Sequence, residues 1–169
     1  LLGVIAAGKS GPAPLVYYAL TYGVATVGCF GVIGVVERAG RCQQLADLAG
    51  LYRRSPLLAV CLFVFVLSLA GIPPLAGFFG KFAVFAAALK LGGLATPTGW
   101  LALLAIAMSA VGLYYYLLIL KQAVVAAPAP GADTRIPVPP VAIASLLIAT
   151  GLLIALGLAP SYVLRMLAQ

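Results

Sequence analysis

The chain has 169 residues, of which 64% are hydrophobic and only 8% charged, with ten Lys and Arg against three Asp and Glu and no His. A soluble domain carries roughly 25% charged residues on the surface it presents to water, so at a mean hydropathy of +1.20 the solvent that fits is lipid. The net charge of +7 does not point to nucleic acid, because the basic residues are scattered and stand mostly at the ends of apolar runs, where they anchor and orient membrane helices.

Leu1 to Ala7 is apolar with no basic stretch before it, which is not the layout of a signal peptide. Residues 1–8 are expected to be the end of a helix, and the chain the C-terminal part of a larger polytopic protein whose N-terminal half is missing. A spanning helix needs about 20 apolar residues to cross about 30 Å of hydrocarbon. The first full run of that kind covers residues 14–36 and is closed by Glu37 and Arg38. Gly23, Gly28, Gly31 and Gly34 allow neighbouring helices to approach closely. Tyr17, Tyr18 and Tyr22 stand near one end, as an interfacial belt would place them. Residues 37–55 are the most polar stretch. Leu45, Leu48, Leu51 and Tyr52 recur there at helical spacing, which predicts an amphipathic surface helix over residues 42–54.

The next apolar region, residues 56–89, is 34 residues long. One straight helix of that length would measure about 50 Å, too long for a simple crossing. In its middle lies Gly71-Ile72-Pro73-Pro74. Two consecutive prolines remove two backbone donors and clash with the preceding turn. The sequence therefore predicts two half-helices, broken at 71–74 and joined at membrane depth. A short Gly/Pro-rich connection leads to a third span over 100–120, closed by Lys121. Residues 126–140 are proline-rich and predict an extended loop. The last span covers 141–158 and ends before Pro160. The predicted fold class is all-α: a polytopic transmembrane helix bundle with one discontinuous helix, forming a single membrane domain.

Arg38, Arg41, Arg53, Arg54, Lys121 and Arg135 fall in loops on one side, while Lys9, Lys90 and Arg165 fall on the other. That excess predicts a cytoplasmic location for the first set. Cys29, Cys42 and Cys61 lack CxxC spacing, and with no His in the chain they argue against a metal site or a His-dependent centre.

Lys81 has no loop to escape into. It lies seven residues past Pro74, beside Phe78, Phe79 and Phe82, and about 13 Å along the helix from Lys90. A snorkelling lysine recovers several ångströms, so an ammonium that merely reaches the interface is one reading. The other starts from the break. Free carbonyls and amides are tolerated in a bilayer only when protein covers them or they line a wet cavity. An ionisable residue beside such a break is by default a site on an ion or proton path, and a desolvated lysine can lose and regain its proton. No Asp or Glu lies in any apolar span, so a counter-charge is expected from the missing half or a neighbouring subunit.

Ser68-Leu69-Ala70-Gly71-Ile72-Pro73, Gly77-Phe78 and Gly80-Lys81-Phe82 together resemble the antiporter-like, proton-translocating membrane subunits of respiratory complex I. Gly112-Leu113-Tyr114-Tyr115-Tyr116 and residues 25–32 (ATVGCFGV) extend the resemblance over nearly the whole chain. The triple tyrosine tips it toward the bacterial N-type branch. Cys29 departs from that family's usual Ala, a small-for-small exchange. The resemblance implies two inverted repeats with one broken helix each, in a multi-pass chain of the bacterial inner membrane. It also implies a part of NADH-quinone oxidoreductase that couples quinone reduction elsewhere to proton pumping, with the lipid bilayer and other complex I membrane subunits as partners and no nucleic acid. Lys81 matches the family's lysine in the second broken helix. Tyr114, Tyr115 and Tyr116 become candidates for channel lining, although at 100° per residue they point in three directions. No cofactor and no metal is expected in this chain. A cation/proton antiporter complex, a membrane-bound hydrogenase or a non-transporting scaffold are the competing readings.

Overall fold

The structure, a computed structural model, describes residues 2–40, 44–90, 93, 96–128 and 134–167. Eight α-helices follow in order: α1 Leu2–Ser10, α2 Ala13–Ala39, α3 Leu51–Arg54, α4 Pro56–Ala70, α5 Ala76–Lys90, α6 Pro97–Leu120, α7 Pro140–Leu158 and α8 Pro160–Leu167. Pro56, Pro97 and Pro140 open their helices, where the missing N–H would have had no intrahelical partner in any case. Thr96 Oγ1 caps α6 by accepting from the Gly99 amide at 3.4 Å.

Among the described residues, three segments are long and apolar enough to cross a membrane: Ala13–Ala39, Pro97–Val125 and Pro140–Leu158. Helices α4 and α5 flank the break predicted within residues 56–89. Each has 15 residues, about 22 Å of helix, so neither half spans alone. Helix α2 lies at the centre and packs on α4, α5 and α7, while α6 leans on α4 and α5. Phe65, Leu58, Leu62, Val32 and Leu153 fill the space between them. Outward-facing Phe30, Trp100, Leu104 and Ile148 are exposed, as a bundle solvated by hydrocarbon allows.

Of the four glycines expected to permit close helix approach, two meet neighbours. Gly28 faces the ring of Phe65, and Gly31 faces Leu146, whereas Gly23 and Gly34 have nothing within 4 Å. The tyrosines of α2 do not form a belt. Tyr17 is buried and its hydroxyl donates to the Leu156 carbonyl at 2.9 Å. Tyr18 is half-buried, and only Tyr22 is exposed. The reason is that α2 turns this end toward α5 and α7 rather than toward headgroups.

The polar stretch also differs from the single surface helix predicted over 42–54, of which residues 42 and 43 lie outside the described residues. It holds a 3₁₀ turn, Leu45–Leu48, and the one-turn α3. Gly50 separates them at φ +66 with Pro128 packed against it, a left-handed geometry that interrupts a helix. Leu48 and Leu51 are buried in a cluster that also holds Leu120, Ala123 and Ile136. The Ile136 amide donates to the Arg54 carbonyl at 3.3 Å, and Arg54 Nη1 donates to the Asp47 carbonyl at 3.2 Å. The two loops that carry the larger share of basic residues thus meet at one end. At the opposite end, α8 extends past the last span as a short helix. Pro160 there starts a helix instead of only ending one.

The candidate proton site at the helix break

The last turn of α4 shows why a lysine belongs at this position. Gly71 adopts φ +85, and its amide donates to the carbonyls of Leu67 and Ser68, both at 3.0 Å. The Ile72 amide donates to Leu67 at 3.1 Å. This is a Schellman closure, which uses glycine for its left-handed residue. In a continuous helix the carbonyls of Leu69 and Ala70 would accept from the amides four residues on. Those positions are Pro73 and Pro74, which have no N–H to give. Both orphaned carbonyls turn instead to Lys81, whose Nζ donates to Leu69 O at 2.9 Å and to Ala70 O at 3.0 Å. The ammonium stands in for the two deleted backbone donors. An unpaired carbonyl at membrane depth costs several kcal/mol, so the prolines and the lysine compensate one another.

The third N–H of the ammonium goes to Ser109 Oγ of α6 at 3.0 Å. All three Lys81 partners are neutral oxygens, so among the described residues the ammonium is held by dipoles rather than by a carboxylate. Its Nζ bonds the last turn of α4 across the break rather than reaching along α5 toward Lys90. A second clamp fixes the two half-helices. Ser68 Oγ accepts from the Gly77 amide at 3.2 Å, bridging the end of α4 and the start of α5. A Cβ at Gly77 would collide with the Ser68 carbonyl, so only glycine permits this approach.

Lys81 lines three separate spaces. A cavity of about 590 Å³ is lined by Gly71, Phe78, Phe82, Ile106 and Ser109 together with Lys81. A second, of about 470 Å³, is lined by Tyr18, Met108, Ser109 and Tyr116 with Lys81. A third of about 10 Å³, roughly one water site, lies between Lys81, Ser68, Thr21, Tyr18 and Tyr22. Thr21 Oγ1 is occupied there, donating to Tyr17 O at 3.0 Å or Tyr18 O at 3.1 Å.

The structure brings together Lys81, Gly71 and the consequence of Pro73 and Pro74. It separates the three tyrosines. Tyr116 is half-buried and lines the 470 Å³ cavity with Lys81, whereas Tyr114 and Tyr115 are 61% and 62% exposed and stack edge to face on each other. The sequence assigns no role to Ser68, although it opens the motif at the break, and does not point to Ser109. The available signal was a lone serine inside an otherwise apolar span, since a polar group there needs a partner.

Residues 1–104 match the family described as NADH:quinone oxidoreductase/Mrp antiporter, transmembrane. Among curated proteins, NADH-quinone oxidoreductase subunit N 2 of Acidobacterium capsulatum is 48% identical over 99% of this chain and 33% of its own length. NADH-quinone oxidoreductase subunit N of Thiobacillus denitrificans is 37% identical over 100% of this chain and 34% of its own length. The chain thus spans about a third of the length of the curated relatives it matches. Among solved structures, a chain of respiratory complex I from Thermus thermophilus superposes with a TM-score of 0.79 at 38% identity, covering 99% of this chain and 37% of that one. A chain of the Mrp complex from Dietzia sp. superposes with a TM-score of 0.75 at 25% identity, covering 94% and 36%.

Proposed function

The chain belongs to the NADH:quinone oxidoreductase/Mrp antiporter transmembrane family, and from that premise we propose that it is the proton-translocating region of a membrane subunit of NADH:quinone oxidoreductase. The redox chemistry takes place in other subunits. In this chain Lys81 accepts and releases protons at the helix break as the electrostatics of the complex change. The partners are the remainder of the same subunit and the neighbouring membrane subunits, in the cytoplasmic membrane of a bacterium.

The observation that carries this reading is the ammonium bound at the break by Leu69 O, Ala70 O and Ser109 Oγ, beside two cavities that Lys81 helps to line. A titratable amine held by neutral oxygens at membrane depth is chemically suited to cycling between two protonation states. A scaffold would have no use for it, because an uncharged donor could satisfy the same carbonyls. The names of the relatives at 37–48% identity favour the oxidoreductase over an antiporter complex.

The test is Lys81→Ala in the full-length subunit within the intact complex, with NADH-driven proton uptake followed in inverted membrane vesicles. Loss of a positioned proton-transfer group costs about 10²–10⁴-fold, so proton uptake per assembled complex should collapse. Wild-type uptake in a fully assembled variant would overturn the proposal. Recovery of flavin and iron–sulfur subunits with the chain supports the oxidoreductase, and recovery of small antiporter subunits instead would reassign it.

A further inference from the structure

The three partners of Lys81 are not equivalent. Leu69 O and Ala70 O are backbone carbonyls, which only accept hydrogen bonds, whereas the Ser109 hydroxyl both accepts and donates. A protonated Lys81 has three N–H groups for its three oxygens. A neutral Lys81 has two N–H groups and a lone pair, and the only partner that can fill the lone pair is Ser109, by turning its O–H toward nitrogen. Among the described residues Ser109 Oγ makes no other hydrogen bond, so its proton is free to make that turn. Lys81, Phe85 and Ser109 also line both large cavities, so this pair stands where the two spaces adjoin.

We propose that Ser109 is the positioning residue for proton exchange at Lys81, its hydroxyl accepting from the ammonium and donating to the neutral amine so that the side chain stays at the break in both states. This rests on the proton-translocating reading above. When a proton leaves, one Lys81 N–H bond breaks, nitrogen keeps the electron pair, and a water molecule in an adjoining cavity gains the proton as hydronium. Ser109 keeps its own proton and rotates. Return of a proton from water reverses both events. The carbonyls of Leu69 and Ala70 retain their donors throughout, so the break does not have to rearrange at each turnover.

The experiment compares Ser109→Ala, Ser109→Thr and Lys81→Ala in the intact complex, measuring the rate of NADH-driven proton uptake and normalising to assembled complex. Ser109→Ala should slow proton uptake about tenfold, the effect of losing one hydrogen bond to a charged group, and Ser109→Thr, which keeps a hydroxyl, should restore it to within about twofold. A merely structural role would not follow the hydroxyl in this way. Ser109→Ala at the wild-type rate, or Ser109→Ala and Ser109→Thr equally slow, would overturn the inference. In either event a pumping-deficient Lys81→Ala leaves the proposed function standing, while a Lys81→Ala variant that pumps normally removes the function along with the inference.

Discussion

Replacing Gly77 by Ala tests whether the geometry of the break, rather than the mere presence of a lysine, is what matters. A Cβ on residue 77 would lie 2.7 Å from the Ser68 carbonyl carbon and 3.0 Å from Ser68 Oγ, against about 3.5–4.0 Å for an ordinary contact. The obstructing atoms are mostly backbone, so α4 and α5 must separate by about 1 Å to reach that spacing. Lys81 stands one turn beyond Gly77 on α5, and its acceptors follow Ser68 directly on α4. The same displacement stretches bonds of 2.9 and 3.0 Å toward 4 Å, about 0.8 Å past hydrogen-bond range. The Ser68–Gly77 bond at 3.2 Å is lost with them. Overpacking costs about 1–3 kcal/mol and the buried hydrogen bond about 1 kcal/mol, which gives a destabilisation of about 2–4 kcal/mol. Misplacing a reacting group by about 1 Å can cost about 10²-fold in rate. In vesicles carrying the full complex, Gly77→Ala should therefore lower the yield of assembled complex, and NADH-driven proton uptake should fall by one to two orders of magnitude in whatever does assemble. A variant that assembles and pumps like the wild type would refute the argument that this close approach sets the site.

At the other end of the bundle, Gly50→Ala places a side chain in a left-handed conformation and against Pro128, whose Cβ lies 2.8 Å from the added atom. The left-handed term alone is about 1–2 kcal/mol, so protease cleavage within residues 44–55 of membrane-embedded protein should accelerate about tenfold, and unchanged cleavage would count against the packing described. Tyr116→Phe should reduce proton uptake measurably, because Tyr116 shares the cavity with Lys81. Tyr114→Phe and Tyr115→Phe, both outward-facing, should leave uptake at the wild-type level. Equal loss in all three would contradict the assignment of their directions.

The parts of this site that were legible in the sequence are those governed by local chemistry. Pro73 and Pro74 forbid a continuous helix whatever surrounds them, and a lysine inside an apolar run is conspicuous on any scale. Their relation to each other was only half legible. Position arithmetic identifies Leu69 and Ala70 as the carbonyls left without donors, but the return of Lys81 across the break depends on how the start of α5 packs against the end of α4. Ser109 was hidden for the same reason, since its role arises from a contact 28 residues away in sequence, and one serine in a helix ordinarily bonds its own backbone. Within this chain three neutral oxygens hold the amine, contacts that a count of Asp and Glu cannot anticipate. The tyrosines of α2 misled because an aromatic cluster near a helix end suits both an interfacial belt and a helix contact. Burial of Tyr17 against Leu156 decides between them. The surface helix over residues 42–54 failed on Gly50, where apolar periodicity continued across a residue whose backbone turns the other way.

The claim on which the rest depends is that water reaches the amine at the break within the membrane. It is tested by Lys81→Cys in the full-length subunit of the intact complex, with its other cysteines replaced, using a charged, membrane-impermeant thiol reagent. Reaction of the cysteine at position 81, blocked by prior exposure to a small hydrophilic thiol reagent, is the result expected of a wet site between two cavities. A thiol that stays unreactive from both sides of the membrane, while one placed at position 90 reacts readily, would mean that no proton path passes through the break.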